Sequence, residues 1–281
     1  MTHSARPPAR SRSPRAAALL AAVLATAAVA PSAQANPYAE NLTLRLLPGW
    51  ELPDGRQIAG LDVRLAEGWK TYWRAPGAAG IPPAFDWSGS ENLSAVQVMF
   101  PRPDVFDQGG MTSIGYHDRV ILPVVLTPRD PNRAIALEGR VSLGICSDVC
   151  VPVEVELSGD PAAPEGARRD PAIASALAAR PYSESEGKVA RVACAVAPAP
   201  NGLSLSVDIQ MPDAGGPETV VFETPDPQVW ADLDTGTRTG GRLSARTELM
   251  HASGGPFALD RSQLRITVLG RDRAVEIRGC D

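Results

Sequence analysis

The chain has 281 residues, 44% of them apolar and 21% charged, a balance that excludes wholesale disorder and leaves room for two ordinary domains. Acidic side chains (32) outnumber basic ones (27), and no stretch concentrates positive charge, which excludes a nucleic-acid-binding surface. With 25 glycines and 27 prolines, the composition suits a turn-rich β protein better than a helical one.

In chain order, residues 1–35 read as a targeting segment. Arg6, Arg10, Arg12 and Arg15 form a positive region, Ala16 to Ala30 is apolar, and Ala33-Gln34-Ala35 is a small-x-small cleavage site. The apolar run falls short of the roughly 20 residues a spanning helix needs, so export with cleavage is expected rather than anchoring. No later segment is apolar for long enough to cross a bilayer. Losing those four arginines takes the net charge from −5 to −9.

From Leu42 to Leu157 short alternating runs are punctuated by Gly and Pro: Leu42, Leu44 and Leu46; Leu61, Val63 and Leu65; Ala95 to Phe100; Arg119 to Leu126; and Val151 to Leu157. No helical pattern separates them, which favours an antiparallel sandwich over a parallel α/β sheet. Asp170-Pro171 then looks like an N-cap followed by Pro at the first helical position, opening a short helix up to Ala179. Strand patterns resume near Val189 and include Leu203 to Ile209, Thr219 to Glu223, Leu264 to Leu269 and Ala274 to Ile277. The expected architecture is all-β: a sandwich domain at 36–160, a linker with a short helix at 161–187, and a second β-sandwich domain at 188–281.

Four cysteines lie beyond the targeting segment, where export makes disulfides durable. Around the close pair, Leu137, Val141, Leu143 and Ile145 are apolar on odd positions, and Val151, Val153, Val155 and Leu157 continue that parity. The pattern predicts a hairpin with its odd residues inward and with Cys146 and Cys150 on the opposite, more polar face. As cross-strand neighbours joined by a three-residue loop, the two are close enough to bridge and open to another protein's thiol. A disulfide closing so short a loop removes little chain entropy, so a redox role and a plain staple both stay open on these grounds. His117 and His251 are not spaced with the pair as zinc ligands would be, and no metal or cofactor is expected. Cys194 and Cys280 lack a neighbouring cysteine to resolve a mixed disulfide, and a structural bond between them is expected. Trp69, Tyr72, Trp73 and Trp87 read as core and turn packing, and His117-Asp118 as a solvated turn.

The stretches GWKTYWRAPGAAGIPPAFDWSGSENL, FDQGGMTSIGYHDRVILPVVL and GICSDVCVP resemble the N-terminal periplasmic domain of the DsbD thiol:disulfide interchange proteins and the similar region of ScsB. The resemblance covers roughly Asn41 to Leu157. It implies an immunoglobulin-like sandwich in the periplasm, with Cys146 and Cys150 as a redox dithiol, Cys150 facing the partner and Cys146 resolving. It also implies a covering loop over Phe106 to Tyr116, with Phe106, Met111 and Tyr116 as candidate shields. The pair is C-x₃-C, shorter than in the best-known DsbD proteins, and QGGMTS stands where the family has an aromatic-rich tip. Neither a membrane electron conduit nor a thioredoxin-like domain is found in this sequence. The expectation is therefore a protein-disulfide reductase component, one carrier in a relay. A membrane electron-donor protein and thioredoxin-like periplasmic proteins would feed it or draw on it, with disulfide isomerases, cytochrome c maturation factors or copper-stress proteins as recipients. The alternative expectation is a non-catalytic periplasmic binding or assembly module with purely structural disulfides.

Overall fold

The computed structural model describes residues 1–3, 36–108 and 110–280. The targeting segment expected at 1–35 lies, from position 4 on, outside the described residues. Alternating apolar residues fold as extended strands that bury one face, and the chain is mainly antiparallel β-sheet. Its first half contains β1 (Leu42–Leu47), β2 (Gln57–Leu65), β3 (Lys70–Tyr72), β4 (Ala84–Asp86), β5 (Leu93–Val98), β6 (Asp104–Gln108), β7 (Met111–His117), β8 (Arg119–Pro128), β9 (Leu137–Cys146) and β10 (Cys150–Gly159). One sheet has the order β1-β2-β8-β5; the other has the order β10-β9-β3-β7-β6, with β4 also paired to β9. Between them Leu61, Val63, Leu122 and Val124 from the first sheet meet Trp73, Ile114, Val141, Leu143, Ile145 and Val153 from the second. Trp69 and Trp87 pack against this core, as their aromatic bulk suggested.

After helix α1 (Pro171–Ala178), the second half contains β11 (Arg191–Ala199), β12 (Gly202–Gln210), β13 (Thr219–Glu223), β14 (Val229–Ala231), β15 (Asp234–Thr235), β16 (Thr237–Thr239), β17 (Arg242–His251), β18 (Arg265–Leu269) and β19 (Ala274–Arg278). These strands form sheets ordered β11-β12-β17-β14, with β16 on β17, and β15-β13-β18-β19. Leu205, Val207, Ile209, Leu243 and Leu249 face Val220, Phe222, Ile266, Val268 and Ile277 across a second core. A disulfide joins Cys194 on β11 to Cys280 just beyond β19, Cα to Cα 5.7 Å, and so links the two sheets.

Helix α1 begins as its sequence suggests, with the Asp170 carboxylate accepting hydrogen bonds from the backbone N–H groups of Ala172 and Ile173. It does not stand apart as a free connector. Ile173 and Ala176 are buried with Ile58, Ile121 and Val125 on the outer face of the first sheet. Gly60 leaves space there, since a Cβ at that position would sit 2.8 Å from Ile173 Cγ1. The two halves are in direct contact. Val221, Leu269 and Ala274, on the outer face of β13, β18 and β19, join the first core. Beside them Arg74 Nε donates to Glu223 at 3.0 Å, and its Nη2 donates to Glu276 at 2.8 Å.

Candidate functional site

The hairpin β9–β10 pairs Cys150 directly with Cys146, and the register continues through Val151–Ile145 and Val153–Leu143 to Gly159–Leu137. Ile145, Leu143 and Val153 point into the core, so the cysteines project from the outer face of the sheet. They form a disulfide with Cα atoms 4.1 Å apart. The two ends of the bridge are unequal. Cys146 is 1% exposed, whereas Cys150 is exposed. The sheet order supplies the reason: β9 has β3 and β4 on one side and β10 on the other, while β10 is the edge strand. An outward-facing bridge therefore does not leave its two sulfurs equally open: Cys146 is enclosed and Cys150 is accessible.

Directly opposed residues of an antiparallel sheet share a face. Lys70 on β3 opposes Cys146, and His117 on β7 opposes Lys70, so the outer face carries the row His117, Lys70, Cys146, Cys150. Phe106 extends it, with its ring 5.0 Å from the His117 ring and the Lys70 ammonium 4.7 Å from its centroid. Tyr72, two residues after Lys70, lies on the same face at 2% exposure. Its hydroxyl donates to Cys150 Sγ at 3.4 Å and lies 3.4 Å from the Ala79 carbonyl. Gly144 makes room for this ring, since a Cβ at that position would lie 2.9 Å from Tyr72 Cδ2 and 2.5 Å from Ile81 Cβ.

The three candidate shields separate. Phe106 is on the disulfide's face, next to the lysine that flanks Cys146. Met111 is half-exposed at the start of β7, where it pairs with Gln108. Tyr116 does not cover the bridge. It opposes Thr71, which opposes Ile145, and this parity turns its ring into the core, where its hydroxyl donates to the Pro101 carbonyl at 2.8 Å. Burial there pushes its phenol well above the ordinary value. Lys70 escaped the sequence reading because β3 has only three residues, too few to show alternation, and His117, read there as part of a solvated turn, instead ends β7 on the outer face. Tyr72 was read as packing, and its ring is indeed buried, but on the face that carries the cysteines. Among the described residues no cluster of His, Cys, Asp or Glu could hold a metal ion, and no helix is long and apolar enough to cross a membrane.

Comparison with known proteins gives one family. Residues 27–161 match the N-terminal domain of thiol:disulfide interchange protein DsbD. The crystal structure of the N-terminal periplasmic domain of ScsB from Proteus mirabilis superposes with a TM-score of 0.65 at 23% identity, covering 87% of this chain and 94% of that one. That likeness extends through both halves and concerns the fold. A protein of unknown function from Porphyromonas gingivalis W83 reaches a TM-score of only 0.22 at 12% identity, covering 85% of this chain and 98% of that one, too low to bear on the fold. No curated protein sequence matches the chain. The segment 27–161, which carries the cross-strand cysteine pair, thus matches the N-terminal domain of the DsbD thiol:disulfide interchange proteins.

Proposed function

We propose that this chain is a periplasmic thiol–disulfide exchange module whose Cys146/Cys150 pair carries electrons to oxidised exported thiol proteins. The observation that carries this reading is the unequal exposure of a cross-strand disulfide within a DsbD-type domain. An incoming thiolate attacks the exposed Cys150 sulfur, and a mixed disulfide forms while Cys146 leaves as a thiolate. In the opposite direction Cys150 attacks the partner's disulfide, and Cys146, held 4.1 Å away Cα to Cα, resolves the mixed species. In this reading residues 36–160 and 188–281 are two immunoglobulin-like sandwiches connected through 161–187, and the leader at 1–35 directs export. Thioredoxin-like proteins and a membrane electron donor are the redox partners; disulfide isomerases, cytochrome c maturation factors and copper-stress proteins are the classes of recipient. The Cys194–Cys280 bond is structural.

The test is the reduction potential of Cys146–Cys150 in a Cys194→Ser/Cys280→Ser variant equilibrated against glutathione. A midpoint above roughly −250 mV is expected, in the range of exchangeable disulfides. A midpoint below roughly −300 mV would make the bridge a staple and leave a non-catalytic module. Trapping provides an independent check. Cys146→Ser, which leaves Cys150 without a resolving partner, should accumulate a mixed disulfide with a thioredoxin-like protein, and Cys150→Ser should not.

A further inference from the structure

Lys70 is one of two lysines in a chain whose other 25 basic residues are arginine. It sits opposite Cys146 in the sheet register, where cross-strand Cβ atoms lie about 4.5–5.5 Å apart. A four-carbon stem spans that gap. With the disulfide closed, its ammonium rests over the Phe106 ring. Lysine is a compact, mobile point charge, suited to moving between two such positions.

We propose that Lys70 is the positioning residue of this redox pair: its ammonium, parked on Phe106 while the bridge is closed, turns to the Cys146 sulfur when the bridge opens and stabilises the thiolate. The inference rests on the exchange reading above and specifies how that site is tuned. When a thioredoxin-like protein dithiol reduces the pair, its thiolate bonds to Cys150 Sγ and the Cys146–Cys150 bond breaks. The electron pair of that bond goes to Cys146 Sγ, beside Lys70. The donor's second thiolate then attacks its own sulfur in the mixed disulfide and releases Cys150 as a thiolate. The donor ends as a disulfide and the pair as a dithiol, with the donor's protons passing through solvent. A better-stabilised leaving thiolate departs faster and makes the reduced form easier to reach. Other polar groups near Cys146 include the Ser147 carbonyl, 3.6 Å from its sulfur, Asp148 in the intervening loop, the Tyr72 hydroxyl, Cys150 on β10, and His117 on the far side of Lys70. Among these described groups, Lys70 combines a permanent positive charge with direct opposition to the sulfur.

The experiment is an ultraviolet thiolate titration of Cys146 in the full chain carrying Cys150→Ser, with the Cys194–Cys280 bond intact. Adding Lys70→Met should lower the thiolate fraction at neutral pH about tenfold, and Lys70→Arg should restore most of it. Adding Phe106→Leu, which removes the parking place, should raise the thiolate fraction severalfold, on the order of a cation–π contact. That gain should vanish when Lys70→Met is also present. Identical titration curves with Lys70 and Met at position 70 would overturn the proposal, as would a Phe106→Leu effect that persists without the lysine. The titration needs no partner, so its failure is distinguishable from that of the exchange reading. A Lys70-dependent thiolate in a protein whose disulfide has a staple's potential sinks the function and keeps the tuning; an exchangeable pair indifferent to position 70 does the reverse.

Discussion

A sulfur's accessibility depends on what flanks it, and here a single cross-strand pair contains both extremes. Cys150 on the edge is open, and its neighbour Cys146 is closed. The Tyr72 hydroxyl donates a hydrogen bond to the open sulfur. Tyr72→Phe keeps the ring's packing and removes that contact, so we expect an unchanged melting temperature within a few degrees and a severalfold slower reduction by a small dithiol. An unaltered rate would show that the hydroxyl does not act on the sulfur. Away from the site, Asp62 is 1% exposed and receives hydrogen bonds from Arg119 at 2.7 Å and Arg64 at 2.9 Å. Burial alone would raise its pKa, but these two guanidinium groups outweigh burial and hold it below the ordinary carboxylate value. A carboxyl depressed on folding adds stability above its unfolded pKa and loses it as pH falls through the folded value. Asp62→Asn should therefore cost about 1–3 kcal/mol at pH 7. The gap to the parent protein should close on acidification below about pH 4. Denaturant titrations at the two pH values check the sign; a gap that widens in acid contradicts it.

The elements legible in the sequence are those with enough residues to show their period. β9 and β10 hold ten residues each, and their odd-position parity set both the register and the face of the cysteines. Helix α1 announced itself through Asp170 and Pro171, although nothing in its sequence said that Ile173 would seat on β2 and β8. β17 was passed over because its inward residues, Leu243, Ala245, Thr247 and Leu249, include a small and a polar side chain that weaken the apolar signal. β3 was missed because three residues carry no period. Two substitutions probe how elements seat on one another. Ile173→Ala empties the helix's anchor and should destabilise the fold by about 2–4 kcal/mol. Gly144→Ala places a methyl group against Tyr72 and Ile81, so it should change the rate of disulfide reduction as well as stability. A change in stability alone would show that the Tyr72 ring yields without moving its hydroxyl.

Across the whole molecule, the sheet β15-β13-β18-β19 uses both its faces. Val220, Phe222, Ile266 and Val268 close the second core, while Val221 and Leu269 complete the first. Arg74 fixes the contact. With 14% exposure it pairs with Glu223 and Glu276, at 18% and 19%, and its guanidinium stacks 4.1 Å above the Trp73 ring. Arg74→Ala leaves two half-desolvated carboxylates without this partner and should cost about 2–4 kcal/mol. It should also turn one cooperative unfolding transition into two. A single transition at the original midpoint would mean that the apolar contacts suffice to hold the halves. The sequence by itself determined the all-β class, the hairpin that pairs Cys146 with Cys150, and the capped helix. All three follow from contacts local in the chain, where periodicity and turn chemistry act within a few residues. Tertiary structure alone decided that Cys146 is enclosed, that Lys70 opposes Cys146 and the Tyr72 hydroxyl reaches Cys150, that Tyr116 turns inward, and that the two halves share a buried face. These depend on which strands become neighbours across long separations, and the long-range packing that settles strand order is not encoded in any one segment.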